Sequence, residues 1–152
     1  MLVALTLLSG VIAILVSSLN LKNSNTNTIA SKVLSDLNAI EIGFVNFAQD
    51  KNVYPSGLAD ATFVPSYLFP PAPPENFWAY TLASTGSSYY ICGTVNVTGA
   101  GDNSYLALKN VISAKAPQSK FYYNTTACPQ TTSMASDPAG AATINFTYYL
   151  TR

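Results

Sequence analysis

The sequence predicts an α+β chain in which one long N-terminal helix packs on a C-terminal antiparallel β-sheet. From Met1 to Leu21 no side chain is charged, and Lys22 is the first that is. Apolar residues then recur at helical spacing as far as Phe47, and from Trp78 onward short aromatic and β-branched runs are separated by turn residues. The helix is expected over 1–53, and the sheet forms a head over 54–152 with a proline-rich loop at 54–76. A length of 152 residues suits one domain of ordinary size.

The opening run MLVALTLLSGVIAILVSSLNL is greasy on every side. Leu2, Val3, Leu5, Leu7, Leu8, Val11, Ile12, Ile14, Leu15 and Val16 surround the axis, as in a helix immersed in lipid or in other helices. A helix of ~21 residues is roughly 31 Å long and matches the hydrocarbon core of a bilayer. Such a run admits three readings: a secretory signal (although no basic residue precedes it), a membrane anchor, or a helix that waits in the membrane and is later buried among copies of itself. Thr6, Ser9 and Gly10 supply small residues that permit close helix contact.

Asn20 to Thr28 is a patch of poor helix formers, so 20–28 is a possible non-helical break, with Thr28 the expected N-cap of the second helical half. Ile29, Val33, Leu37, Ile40, Phe44 and Phe47 step by 4, 4, 3, 4 and 3, a narrow helical stripe. The helix has to end before Tyr54-Pro55, because a residue preceding proline is pushed towards extended geometry. The prolines of Tyr54 to Glu75 mark a stiff loop.

Strands are expected at Trp78 to Leu82, Ser88 to Val97, Ser104 to Ile112 and Phe121 to Tyr123. In the last strand Ile144, Phe146, Tyr148 and Leu150 alternate with Thr143, Asn145, Thr147 and Tyr149, which predicts one buried face. Turns are expected at Thr85-Gly86-Ser87, Gly99 to Asp102 and Asp137 to Gly140.

Composition narrows the chemistry. Seven basic and 7 acidic residues cancel, which argues against a nucleic-acid partner. Charged residues are 9% of the chain against a usual ~25%, so Asn, Ser, Thr and Tyr must make the surface polar. With 0 histidines there is no Ser-His or Cys-His pair and little prospect of zinc, so no catalytic residue, cofactor or metal is assigned and an enzyme is not expected. Gly99 to Asn103 has the flavour of a calcium loop, but one carboxylate cannot fill six to eight coordination positions, so a turn is favoured. Cys92 and Cys128 are too far apart for a CxxC motif, and in an exported domain they are expected to pair. Closing a loop of ~37 residues stabilises by roughly 4 kcal/mol in the chain-entropy picture. Sequons at Asn96, Asn124 and Asn145 are candidate glycosylation sites. The ten Tyr and 7 Phe are read as strand formers, not as a stacked conductor.

The order of these features resembles the type IV pilins and pseudopilins. The local runs that carry the likeness are SDLNAIEIGFVNFAQDKNVYPSGL, PPAPPENFWAYTL and SSYYICGT: a helix leading into Tyr-Pro, prolines preceding W-x-Y, then a strand. The resemblance implies a pilin-like fold and a structural subunit of an extracellular filament, with adhesion, motility, DNA uptake and secretion all open as its task. It implies a homo-oligomer on the cell surface, held in the cytoplasmic membrane before assembly. It also implies a prepilin peptidase and pilus assembly machinery as partners, with cleavage and N-methylation at Met1. Leu2, Leu5, Leu8, Val11, Ile12 and Leu15 would pack the filament core, and the low helix propensity of residues 20–28 suggests local loss of helix on assembly. Where the family usually has glutamate at position 5 this chain has Leu5, a departure that leaves room for an atypical pilin, an archaeal filament subunit or a minor pilin. A monomeric membrane-anchored binding domain is the alternative.

Replacing Val11 or Leu15 with Asp is expected to abolish filaments, because a buried unpaired charge costs several kcal/mol. Normal fibres from either variant, seen by electron microscopy, would refute the core assignment.

Overall fold

The apolar stripe on the first helix organises the head. The computed structural model describes residues 2–69, 71–100, 102–115, 120–134 and 143–151, with side chains from Ser24 onward except at 99, 100 and 102. Helix α1 runs Leu2–Lys51, 50 residues and about 75 Å of helix. Ile29, Val33, Leu37, Ile40, Phe44 and Phe47 are each no more than 2% exposed. Burying each such side chain contributes about 1.5–3 kcal/mol. The helix ends on Asn52, whose left-handed φ of 54° lets its N–H reach Ala48 O at 3.0 Å. That αL cap closes the helix before Tyr54-Pro55, in keeping with the restriction that proline imposes.

In the single chain α1 is continuous through residues 20–28, and the loss of helix expected there concerns the assembled state. Thr28 is not an N-cap: it lies inside the helix, with its Oγ1 donating back to Ser24 O at 2.9 Å. Poor helix formers cost only up to about 0.7 kcal/mol each, and tertiary contacts overcome that. Here the contacts come from a second helix: Thr26 Oγ1 lies 3.5 Å from Asn103 Oδ1, and Asn110 Nδ2 donates to Asn27 Oδ1 at 3.3 Å.

Strands β1 (Trp78–Thr85), β2 (Ser88–Asn96), β3 (Phe121–Asn124) and β4 (Thr143–Tyr149) form one antiparallel sheet in the order β1-β2-β4-β3. Gly86, with φ of 61°, takes the first position of the two-residue β1–β2 turn, where a type II′ hairpin needs glycine. On the inner face Trp78 opposes Val95, Val95 opposes Ile144, and Ile91 opposes Tyr148, which opposes Phe121. These residues close the core against α1.

Three expectations fail between β2 and β3. Val97 does not continue the strand, and the turn expected at Gly99 to Asp102 is replaced by helix α2 (Val97–Ala100), after which α3 (Asp102–Ala114) begins. Asn96 Oδ1 accepts the Thr98 N–H at 3.1 Å, an N-cap contact for α2. Ser104 to Ile112 is therefore helix, not strand. Ser104, Ala107, Leu108 and Val111 are all 0% exposed, and their spacing of 3, 1 and 3 is that of a helix face docked on α1.

The expectation of one buried face on β4 also fails. Thr147 is 0% exposed and Tyr149 6%, because residues 125–134 cross the outer face of the sheet. The turn expected at Asp137 to Gly140 lies outside the described residues.

At the centre of the inner face Gly93 opposes Phe146, and a Cβ on Gly93 would sit 1.9 Å from the Phe146 ring. The ring fills that notch and stacks on Phe121 at 5.2 Å. Gly93→Ala is expected to destabilise the fold by about 1–3 kcal/mol through overpacking. The measurement is a lower urea midpoint at unchanged slope, and an unmoved midpoint would count against the notch.

Candidate assembly surface

Charge is spent where it holds α1 to the head. Tyr148 OH on β4 donates to Glu41 Oε2 at 2.6 Å, while Lys115 and Lys120 approach the same carboxylate at 3.6 and 3.8 Å. Lys115 also donates to Asn38 Oδ1 at 2.5 Å and lies over the Tyr148 ring. This knot ties α1, the end of α3 and β4 together. One turn up, Lys32 pairs with the buried Asp36, and Tyr80 on β1 lies beside that carboxylate. Burial, then the Asp36 charge, pushes the Tyr80 phenol up; burial, then the Glu41 hydrogen bond, does the same to Tyr148.

The proline-rich segment is fastened in a similar way. Asp60 accepts from the hydroxyl and N–H of both Thr62 and Ser56, which hold its carboxyl well below the usual range. Tyr67 OH donates to Asp50 at the end of α1. Gly43 provides the seat for this segment, since a Cβ there would meet Tyr67 O at 2.8 Å.

The cysteines pair as expected: Cys92 on β2 is bonded to Cys128, with Cα atoms 5.9 Å apart. The bond pins residues 125–134 across the sheet. Gln130 then completes the cover: its N–H donates to Thr147 Oγ1 at 2.9 Å, its side-chain oxygen accepts from that hydroxyl, and its carbonyl accepts from Tyr149 OH at 3.2 Å. The sequon asparagines are engaged too. Asn145 Nδ2 donates to Thr126 O at 3.0 Å, Asn124 Oδ1 accepts the Thr125 N–H at 2.8 Å, and Asn96 caps α2.

The outward face of α1 is uncharged from Ser31 to Gln49. The face of α1 opposite the core carries Ser31, Ser35, Asn38, Ala39, Ile42, Val45, Asn46 and Gln49, and Ile42 is 62% exposed. A solvated helix face is normally rich in Lys and Glu, whereas this one carries amides, hydroxyls and the two exposed aliphatic side chains Ile42 and Val45. Beside it lies a groove of about 310 Å³ lined by Phe44, Val45, Ala48, Gln49, Tyr54 and Leu150. On the far flank Phe69 stands 82% exposed. None of these was among the residues expected to form a site; the outward apolar positions Ile42 and Val45 were the available signal.

Met1 and the side chains of Leu2, Leu5, Leu8, Val11, Ile12 and Leu15 lie outside the described residues. Among the described side chains no helix is long and apolar enough to cross a membrane, and no three His, Cys, Asp or Glu come together as a metal site. No family model, curated protein or solved structure matches the chain.

The two raised phenols fix an alkaline response. Both stay neutral in the fold while an unfolded tyrosine ionises near 10.0, so stability is level below that pH and falls as pH rises through it. Tyr80 contributes up to about 1.4 kcal/mol per pH unit, and Tyr148, whose hydrogen bond is only part-buried, contributes less. In urea titrations at stepped pH the Tyr80→Phe, Tyr148→Phe chain is expected to show a shallower fall. Equal slopes would refute the assignment.

Proposed function

We propose that the chain is the repeating structural subunit of an extracellular filament of the type IV pilin kind. The observation that carries this reading is the division of one 50-residue helix. Its second half is buried on a sheet along a single stripe, while its first 21 residues of sequence hold no charge and no polar face. A helix apolar all round leaves lipid only if other apolar helices replace the lipid, and copies of the same helix do so at no change in chemistry.

In this reading the subunit waits in the cytoplasmic membrane, with Met1 processed and methylated by a prepilin peptidase. The assembly machinery then moves it into a helical polymer. Leu2, Leu5, Leu8, Val11, Ile12 and Leu15 pack the core, and the head forms the surface. Loss of helix over 20–28 on assembly lengthens ~9 residues from about 13 Å to as much as 30 Å and adjusts the head to the core. The role is structural, with no catalysis and no cofactor.

Shearing producing cells and imaging the released material by electron microscopy is expected to give thin regular fibres made of this chain. Mass spectrometry of the fibres is expected to find a methylated Met1. A chain that stays wholly in the membrane fraction, with no fibre containing it, would sink the proposal in favour of an anchored domain.

A further inference from the structure

We infer that the fold leaves two of the three sequons, Asn96 and Asn124, as N-glycosylation sites and closes the third, Asn145. The inference concerns the head alone and stands whether or not the chain polymerises. In the transfer, the asparagine Nδ2 attacks the anomeric carbon of a sugar carried on a lipid phosphate. The N–C bond forms and the bond from that carbon to the phosphate oxygen breaks. The phosphate leaves with the electron pair, and an amide proton is lost to a base. A transferase therefore has to reach both Nδ2 and the hydroxyl two residues on that completes the sequon. The Cys92–Cys128 bond suits the oxidising compartments outside the cytosol in which such acceptors are used.

Asn145 fails on both counts. It lies in β4, between β2 and β3, where its Oδ1 accepts from Thr94 Oγ1 at 3.0 Å and its Nδ2 donates to Thr126 O at 3.0 Å. Thr147, which completes its sequon, is 0% exposed, and its hydroxyl donates to the Gln130 side chain. Reaching that nitrogen and that hydroxyl together requires lifting residues 125–134 off the sheet. Asn96 meets both needs. It is exposed at the end of β2, its Oδ1 takes the Thr98 N–H at 3.1 Å, its Nδ2 has no partner among the described residues, and Thr98 is itself exposed. Asn124 ends the edge strand β3. Its Oδ1 bonds only the adjoining Thr125, its Nδ2 likewise has no partner among the described residues, and Thr126 is exposed. Both acceptors belong to the outer face at one end of the sheet. Asn124 opposes Asn145, which opposes Thr94, and Asn96 lies two residues beyond Thr94 on β2. Two strand spacings across and two residues along put the pair roughly 12 Å apart. Glycans there would hydrate a head with 9% charged residues without adding charge.

The test is mass spectrometry of the full chain from producing cells, digested and fragmented by electron transfer so that sugars stay on their residues. Glycan is expected on Asn96 and Asn124, with Asn145 bare. In parallel, Asn96→Gln and Asn124→Gln are each expected to lower the intact mass by one glycan, and Asn145→Gln to leave the glycan content unchanged. A glycan on Asn145, or bare asparagine at either of the other two positions, would overturn the inference. A second measurement separates closure by the fold from an enzyme's preference for one local sequence. The unmodified full chain is offered to a purified oligosaccharyltransferase with its lipid-linked sugar, once oxidised and folded and once reduced, alkylated and unfolded. Asn145 is expected to accept sugar only in the unfolded chain. Transfer to Asn145 in the folded chain, or in neither, counts against the closure assigned to Thr147 and the segment over it.

Discussion

Burial of one stripe on α1 is the constraint on which the rest of the head depends. Val33, Leu37 and Ile40 are 0% exposed because the four strands lay their inner side chains over them and α3 closes the flank. A four-stranded sheet alone has nothing to bury that face against. The helix in turn has no reason to remain ordered through poor helix formers without those contacts. Each element therefore stabilises the other, and the charges are arranged to fix the angle between them. Glu41 gathers Tyr148, Lys115 and Lys120, and Asp36 gathers Lys32 and Tyr80.

That arrangement takes two of the chain's 7 acidic residues away from the open face of α1. Glu41 and Asp36 are used inward or half-inward, and Asp60 organises a loop through four hydrogen bonds. The outward face of α1 is left with amides, hydroxyls and a few aliphatic groups. Such a face carries no charge that a covering surface would have to dehydrate, although its amides and hydroxyls would need hydrogen-bond partners there.

Local pattern carried much of this. The stripe from Ile29 to Phe47 is legible because its spacing is unmixed, and the end of α1 is legible because Tyr54-Pro55 forbids more helix. Helix α3 is hidden because Tyr105, Leu106 and Ile112 add apolar residues outside the buried face and blur a helical pattern into a strand-like run. Thr28 misleads because capping is inferred from residue type, whereas α3 holds the preceding turns in helix. The cover over β4 has no local signal at all. Thr147 looks like an outward strand residue, and its partner Gln130 lies in a distant loop. The groove and Phe69 depend on which sides of α1 are covered, and only packing decides that.

The Cys92–Cys128 bond has a mechanical consequence. A pull applied along the backbone of a head passes from β2 through the sulfurs into residues beyond Cys128, and bypasses the chain between them. The bridged residues are 36 apart in sequence, so roughly 120 Å of chain is withheld from extension even if the sheet were pulled apart. Helices α2 and α3, and strand β3, all lie within that shielded loop. Under tension the head can be drawn out only before Cys92 and after Cys128, and α3, which holds the middle of α1, stays out of the line of force.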